Sequence, residues 1–134
     1  MNEKSVMGWI KKADSDLNLG KAGILSEEPS TDGICFHMQQ CVEKYLKAFL
    51  IFNGKEIEKT HDITRLIDSC SKIDKEFLTL YEFEADKLTD YAVESRYDIL
   101  FFPSLDETKS LIEIAGKVKE FVLKKLNDNG LKGI

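Results

Sequence analysis

The sequence has few of the residues that staple small proteins together or bind metals. Its 134 residues include three cysteines, two prolines and one tryptophan. The cysteines, Cys35, Cys41 and Cys70, are odd in number and form no C-x-x-C pair. This pattern excludes a complete disulfide framework and a cysteine-based zinc site. We therefore expect three reduced thiols, buried at apolar helical positions of a cytoplasmic protein.

Long apolar segments and a strong positive charge are also missing. No window approaches the roughly 20 apolar residues needed to span a membrane, and the first residues contain no apolar stretch of signal-peptide length. We expect no contact with a membrane. A net charge of −5 and a pI near 5.1 argue against broad electrostatic affinity for nucleic acid. A local basic patch could still bind a phosphate.

The sequence motifs of the common enzyme classes are absent as well. The chain has no glycine-rich phosphate loop, no nucleophile elbow and no H-E-x-x-H motif. The two histidines, His37 and His61, do not have the spacing of metal ligands. We expect neither a metal nor a cofactor, and we expect His37 to be a half-buried packing or hydrogen-bonding residue.

The sequence does contain helical periodicity along most of its length. Apolar residues recur every three or four positions in the segments 5–25, 31–52, 62–70 and 75–91, and again after 104. Ser104 and Glu107 have the spacing of a capping box. Helices with short connections pack antiparallel, so we predict an all-α fold, an up-and-down four-helix bundle with an additional short helix. Residues 1–134 would form one domain, with 127–134 a flexible tail.

Three segments, in this order, resemble one family of helical proteins. Residues 36–50 read FHMQQCVEKYLKAFL, residues 60–63 read THDI, and residues 91–97 read YAVESRY. Together they resemble the HEPN family, whose members show a QQ-x-x-EK-x-LKA run, a THD-type step and a tyrosine followed by an Arg-Tyr pair. The resemblance implies a HEPN-like bundle, a homodimer, and a separately encoded nucleotidyltransferase as partner in a toxin–antitoxin-type pair.

A metal-independent endoribonuclease is the alternative function. HEPN ribonucleases carry an arginine that is followed, after four to six residues, by a histidine. Arg96 matches the arginine by context, but Phe101, Phe102 and Pro103 stand where the histidine would be. None of these side chains can transfer a proton. The resemblance therefore favours a binding protein, and the ribonuclease alternative requires His61 to replace the missing histidine.

The candidate nucleotide- or phosphate-binding residues are Arg96, His61, Lys44, Lys47 and Tyr97. A guanidinium can donate two parallel hydrogen bonds to a phosphate. We expect Arg96 at the mouth of a groove lined by His61 and by the polar side of the second helix. No catalytic residue is assigned.

Structural explanations compete with this site. Lys47 follows Glu43 by four residues, and Lys44 follows Gln40 by four, a spacing at which helical side chains support each other. The ring of His61, or its neighbour in sequence, could cap the third helix. These roles need no ligand.

The connection before the last helix leaves two further alternatives open. Arg96 could be held by Glu94 or Asp98 in a salt-bridged loop. The segment 99–103, ILFFP, is unusually apolar for a connection, so it either plugs the end of the bundle or is covered by another chain. We predict a two-fold dimer that uses this segment as part of its interface.

Overall fold

The computed structural model describes residues 3–92 and 98–134, and the secondary structure of these residues is helical, with turns and irregular connections but no strand. The helices include α1 (Glu3–Gly23), α2 (Thr31–Phe52), α3 (Ile63–Ser71), α4 (Thr79–Glu82), α5 (Leu105–Asp128) and the 3-10 helices Lys75–Leu78 and Ala85–Asp90. The all-α prediction is confirmed. Within these ranges, no helix combines the length and the apolar character required to cross a membrane.

The central helix of the bundle is α2. Most of its residues are buried, including the large aromatic side chains of Tyr45 and Phe49. It packs against α1, α3 and α5. A helix that is buried on most sides must either be apolar all round or pair its polar groups internally. Helix α2 follows the second course, because its buried polar side chains bond to one another.

Helix α1 runs antiparallel to α2. Gly20 of α1 lies beside Met38, whereas Trp9 lies beside Lys47, so positions descend along one helix as they ascend along the other. A Cβ atom on Gly20 would come within 2.5 Å of Cε of Met38. Glycine therefore leaves room for the side chain of Met38 against α1.

The prediction of a single helix over residues 75–91 is wrong. The segment forms a 3-10 helix, α4 and a second 3-10 helix. Glu84 interrupts the helix because its backbone is left-handed, with φ of 62°. Phe77, Leu80 and Leu88 are nevertheless buried. Short turns thus satisfy the apolar spacing that suggested one continuous helix.

Polar side chains accept hydrogen bonds from backbone N–H groups at the starts of α3 and α5. Asp62 accepts one from the N–H of Arg65 at 3.4 Å, and Ser104 accepts one from the N–H of Glu107 at 3.0 Å. The predicted cap at Ser104 is therefore confirmed. Asp62, rather than the ring of His61, caps α3.

Helical and core residues continue beyond residue 127, where we predicted that a flexible tail begins. Helix α5 continues to Asp128, and the side chain of Leu131 belongs to the hydrophobic core. The N–H of Leu131 donates to the carbonyl of Leu126 at 2.9 Å, while Gly130 takes a positive φ of 102°. This turn closes the end of the helix.

All three cysteines are buried and unbridged, as predicted. Burial raises the pKa of the Cys35 thiol to about 11, and it raises the pKa values of Cys41 and Cys70 as well. They behave as small apolar core residues.

Candidate functional site

Four polar side chains form a cluster. Three of them belong to α2, and the fourth belongs to the residue just before the N-cap of α3. They are Gln39, Glu43, Lys47 and His61, and we call them the Glu43 cluster. Oε1 of Glu43 accepts a hydrogen bond from Nε2 of Gln39 at 3.1 Å and lies 2.8 Å from Nδ1 of His61. Oε2 accepts one from Nζ of Lys47 at 2.9 Å. The three residues of α2 are spaced by four, so they share one face of the helix.

The carboxyl group of Glu43 is ionised although it is buried. Burial alone would raise its pKa, but hydrogen bonds from Lys47, His61 and Gln39, together with the positive charge of Lys47, lower it below the ordinary value. The side chains of Glu43 and Lys47 are only 5% and 7% exposed. The cluster therefore contains a desolvated ion pair whose negative partner is fully hydrogen-bonded.

His61 is the exposed member of the Glu43 cluster. Its side chain is 62% exposed, although Nδ1 is held by Glu43. Its backbone carbonyl accepts a hydrogen bond from Nε2 of Gln39 at 3.0 Å. Gln39 itself is oriented by Gln40, whose Nε2 donates to its Oε1 at 2.8 Å. Both the ring and the main chain of His61 are thus fixed by residues of α2, while much of the ring faces solvent.

A second cluster with similar chemistry joins α1 to α2. Oδ1 of Asp16 lies 2.8 Å from Nδ1 of His37, and Oδ2 lies 2.6 Å from Nζ of Lys44. Asp16 is buried, whereas the side chain of His37 is 39% exposed. We call these three residues the Asp16 cluster. In both clusters a buried carboxylate lies between a lysine and a histidine. His37 is half-buried and hydrogen-bonded, as predicted.

The structure places the predicted lysines in different clusters. Lys47 bonds to Glu43 at the predicted helical spacing, whereas Lys44 bonds to Asp16 instead of pairing with Gln40. Each amine therefore has a carboxylate partner within the protein. Among residues 3–92 and 98–134, no three His, Cys, Asp or Glu side chains are grouped as a metal site would require.

Arg96 and Tyr97 lie outside the described residues, and so does the predicted approach of Arg96 to His61. A groove of about 460 Å³ lies at the C-terminal end of α2. Its lining residues are Leu50, Lys55, Glu56, Ile57, Glu58, Ser69, Lys72 and Ile73, so His61 does not line it. Among the predicted site residues that the structure describes, His61 and Lys47 lie together, because both contact the carboxylate of Glu43.

Sequence reasoning missed Asp16 entirely. It lies three residues after Ala13 and four before Gly20, and all three are buried on one stripe of α1. An acidic residue at an inward position of an amphipathic helix was a usable signal, because a buried charge requires a partner. The sequence also predicted that Glu43 lies on the polar side of α2, whereas its side chain is buried.

An exposed apolar patch lies just before α5. Ile99, Leu100 and Phe102 are 88%, 83% and 67% exposed, and Leu105, the first residue of α5, is 47% exposed. We call these four residues the 99–105 patch. Within the segment 99–103, Pro103 is buried and Phe101 is partly buried, so only these two residues pack against the bundle. Phe101, which lies between Leu100 and Phe102 in sequence, is partly buried. Its ring centre is 5.6 Å from that of Tyr91.

Comparison with known proteins identifies the class of this helical bundle. Residues 6–126 match the HEPN domain family, so the chain belongs to that family. The crystal structure of ST0689, an archaeal HEPN homologue, superposes with a TM-score of 0.69 over 90% of this chain and 97% of that one. The two sequences are 23% identical, which establishes a shared fold and no more.

A curated relative matches a shorter part of the chain. The protein named "Putative toxin MJ1304", from Methanocaldococcus jannaschii, is 43% identical over 53 residues, which are 40% of this chain and 34% of that protein. The match thus spans about a third of the length of this relative.

Proposed function

We propose that this HEPN protein acts by binding, as the toxin-like member of a toxin–antitoxin-type pair whose partner is a separately encoded nucleotidyltransferase. Family membership and the match to a protein named as a toxin support this role. Phe101, Phe102 and Pro103 favour binding over cleavage, because no proton-transferring side chain stands at these positions.

The binding site that we propose recognises the phosphate of a nucleotide and contains His61, Arg96 and Tyr97. The observation that carries it is the exposed ring of His61 above a buried, fully hydrogen-bonded carboxylate. A ring that is fixed on one edge and free on the other is suited to binding a ligand, because little conformational entropy is lost on contact. In this proposal Lys47 balances the charge of Glu43, and contact with phosphate falls to His61 and Arg96.

The homodimer that we propose uses the 99–105 patch. Four large apolar side chains with exposures from 47% to 88% form a surface that a second copy could bury. A second copy is the favoured occupant because the family to which the chain belongs led us to expect a homodimer.

Co-purification tests the partner. The reading frames beside the gene would be searched for a nucleotidyltransferase, the two proteins co-expressed with a tag on one chain only, and the mass of the eluted complex measured by light scattering. We expect both chains to elute together in a fixed ratio. Two separate peaks at micromolar concentration would contradict the partnership.

The ribonuclease function remains a second candidate because of one specific observation. Nδ1 of His61 is bonded to a carboxylate, an arrangement that orients a histidine for proton transfer at its other nitrogen. Arg96 would then stabilise the charged phosphorane. We expect the purified protein to leave single-stranded and transfer RNA intact in the presence of a chelator. Cleavage that is lost in both Arg96→Ala and His61→Ala, with the fold retained, would establish this candidate instead.

A further inference from the structure

The protonation state of Glu43 determines which nitrogen of His61 carries a hydrogen. An ionised carboxylate can only accept hydrogen bonds. Oε1 of Glu43 lies 2.8 Å from Nδ1 of His61, so Nδ1 must be the donor. This nitrogen therefore keeps its hydrogen whether the ring is neutral or charged, and Nε2 is the nitrogen that gains or loses a proton.

The amide of Gln39 reinforces this arrangement. Its Nε2 donates to Oε1 of Glu43 at 3.1 Å and to the backbone carbonyl of His61 at 3.0 Å. Because an amide nitrogen has two hydrogens, both are used by these two acceptors. The amide oxygen accepts from Nε2 of Gln40. The orientation of the amide is thus determined on both sides, and Gln39 holds the main chain of His61 in register with Glu43.

Lys47 completes the arrangement from the opposite side of the carboxylate. Its Nζ donates to Oε2 of Glu43 at 2.9 Å and lies 5.9 Å from the centre of the Trp9 ring. The hydrogen bond and positive charge favour the ionised form of Glu43 inside the protein. Oε1 thereby remains available as an acceptor for His61.

We propose, resting on the phosphate-binding role proposed above for His61, that Glu43 is the positioning residue for this histidine: it fixes His61 as the Nδ1–H tautomer and leaves Nε2 to contact a phosphate monoester. With the ring protonated, Nε2–H donates a charge-assisted hydrogen bond to a phosphate oxygen. With the ring neutral, Nε2 has only a lone pair and cannot donate. Phosphate binding should therefore weaken as the ring loses its proton at Nε2.

Nitrogen NMR of ¹⁵N-histidine-labelled protein tests the inference directly. The chain has two histidines, so a His61→Gln variant assigns both sets of ring signals. We expect His61 to show the Nδ1–H tautomer at high pH, and AMP, used as the probe, to shift its Nε2 signal. In Glu43→Gln the tautomer preference should be lost, and AMP should bind about tenfold more weakly, as expected for one lost hydrogen bond to a charged group.

Matched variants separate positioning from simple loss of structure. Asp16→Asn alters the equivalent pair on His37 and should change the His37 signals while the Nδ1–H tautomer of His61 is retained. Should Glu43→Gln fail to fold, Glu43→Gln combined with Lys47→Met removes both buried charges and replaces the single variant in the same measurements.

Two outcomes would overturn the inference in distinguishable ways. An Nε2–H tautomer of His61 in the wild-type protein, or equal AMP affinity in wild-type and Glu43→Gln protein, rejects positioning by Glu43 while the phosphate site can stand. If AMP leaves the His61 signals of the wild-type protein unchanged, the phosphate site itself is rejected, and the inference fails with it.

Discussion

Nζ of Lys47 lies 2.9 Å from Oε2 of Glu43, one turn away on the same helix, and neither side chain is more than 7% exposed. A pair at this spacing on a helix surface contributes only a few tenths of a kcal/mol. Inside the bundle the two charges have lost most of their contact with water, so each depends on the other for compensation. The pair therefore has a different energetic role from the exposed pairs of the same molecule.

Removing Lys47 alone should be strongly destabilising. We expect Lys47→Met to lower the free energy of unfolding by about 3 kcal/mol, because it leaves the carboxylate of Glu43 buried without its cation. Combining it with Glu43→Gln should restore most of the loss. Urea denaturation monitored by circular dichroism would measure both effects. Lys117→Met serves as the control, since the Lys117–Glu113 pair is largely exposed and should contribute little. Equal losses in Lys47→Met and Lys117→Met would contradict this description.

Acidification should destabilise the protein partly through Glu43. The pKa of this group is lowered by folding, so its ion pair stabilises the protein above the unfolded pKa, which is about 4.3 for a glutamate, and this stability is lost as the pH falls through the folded pKa. We expect the melting temperature of the wild-type protein to fall more steeply below about pH 4 than that of the Glu43→Gln, Lys47→Met variant. Parallel curves would show that Glu43 does not contribute.

That comparison isolates Glu43 from a second carboxylate. A hydrogen bond from Lys125 lowers the pKa of Asp74, although partial burial opposes it. Asp74 therefore also loses stabilisation in acid, with the same sign. Since both proteins retain Asp74, its contribution cancels in the difference between the two curves.

Glycine should be preferred to glutamate at position 84. The left-handed backbone at Glu84 costs a residue with a Cβ about 1 kcal/mol, and glycine adopts it without strain. We expect Glu84→Gly to raise the melting temperature or leave it unchanged, as the exposed Glu84–Lys87 pair contributes little. Glu82→Gly, at the last residue of α4, should lower it. A decrease of the same size in both variants would contradict the assignment of strain to Glu84.

The 99–105 patch should control self-association. We expect the wild-type protein to have twice the 15.3 kDa mass of one chain, and Leu100→Lys to be monomeric with native helical content, because the charge would be buried at the interface. Light scattering at several micromolar concentrations measures this. Leu25→Lys is the control, since Leu25 is 84% exposed and lies outside the patch. A wild-type monomer, or a Leu100→Lys dimer, would rule out this interface.

Sequence periodicity predicted the long helices because their apolar stripes are continuous. Helices α1, α2, α3 and α5 lie close to where the spacing placed them. The break at Glu84 was not predictable in the same way, because left-handed residues are normally recognised by glycine or asparagine. Local spacing could suggest the pair Glu43–Lys47, but Lys44 and Asp16 are 28 residues apart and meet only through the packing of α1 on α2.

The sequence correctly predicted polar residues on α2. It did not predict that some of these polar residues are buried. Gln39 and Glu43 are polar residues that would ordinarily face solvent. They are enclosed because each finds a partner in the loop before α3 or one turn along the helix. Such compensation depends on tertiary contacts, and spacing along a single helix does not reveal it.

Replacing Arg96 by lysine is the most direct test of the proposed phosphate site. Lysine keeps the positive charge but loses the two-pronged geometry of the guanidinium. We expect calorimetric titration with AMP to show binding to the wild-type protein and clearly weaker binding to Arg96→Lys, with the melting temperature nearly unchanged. Unchanged AMP titration together with a lower melting temperature would mean that Arg96 is a structural salt-bridge residue, which would contradict the account.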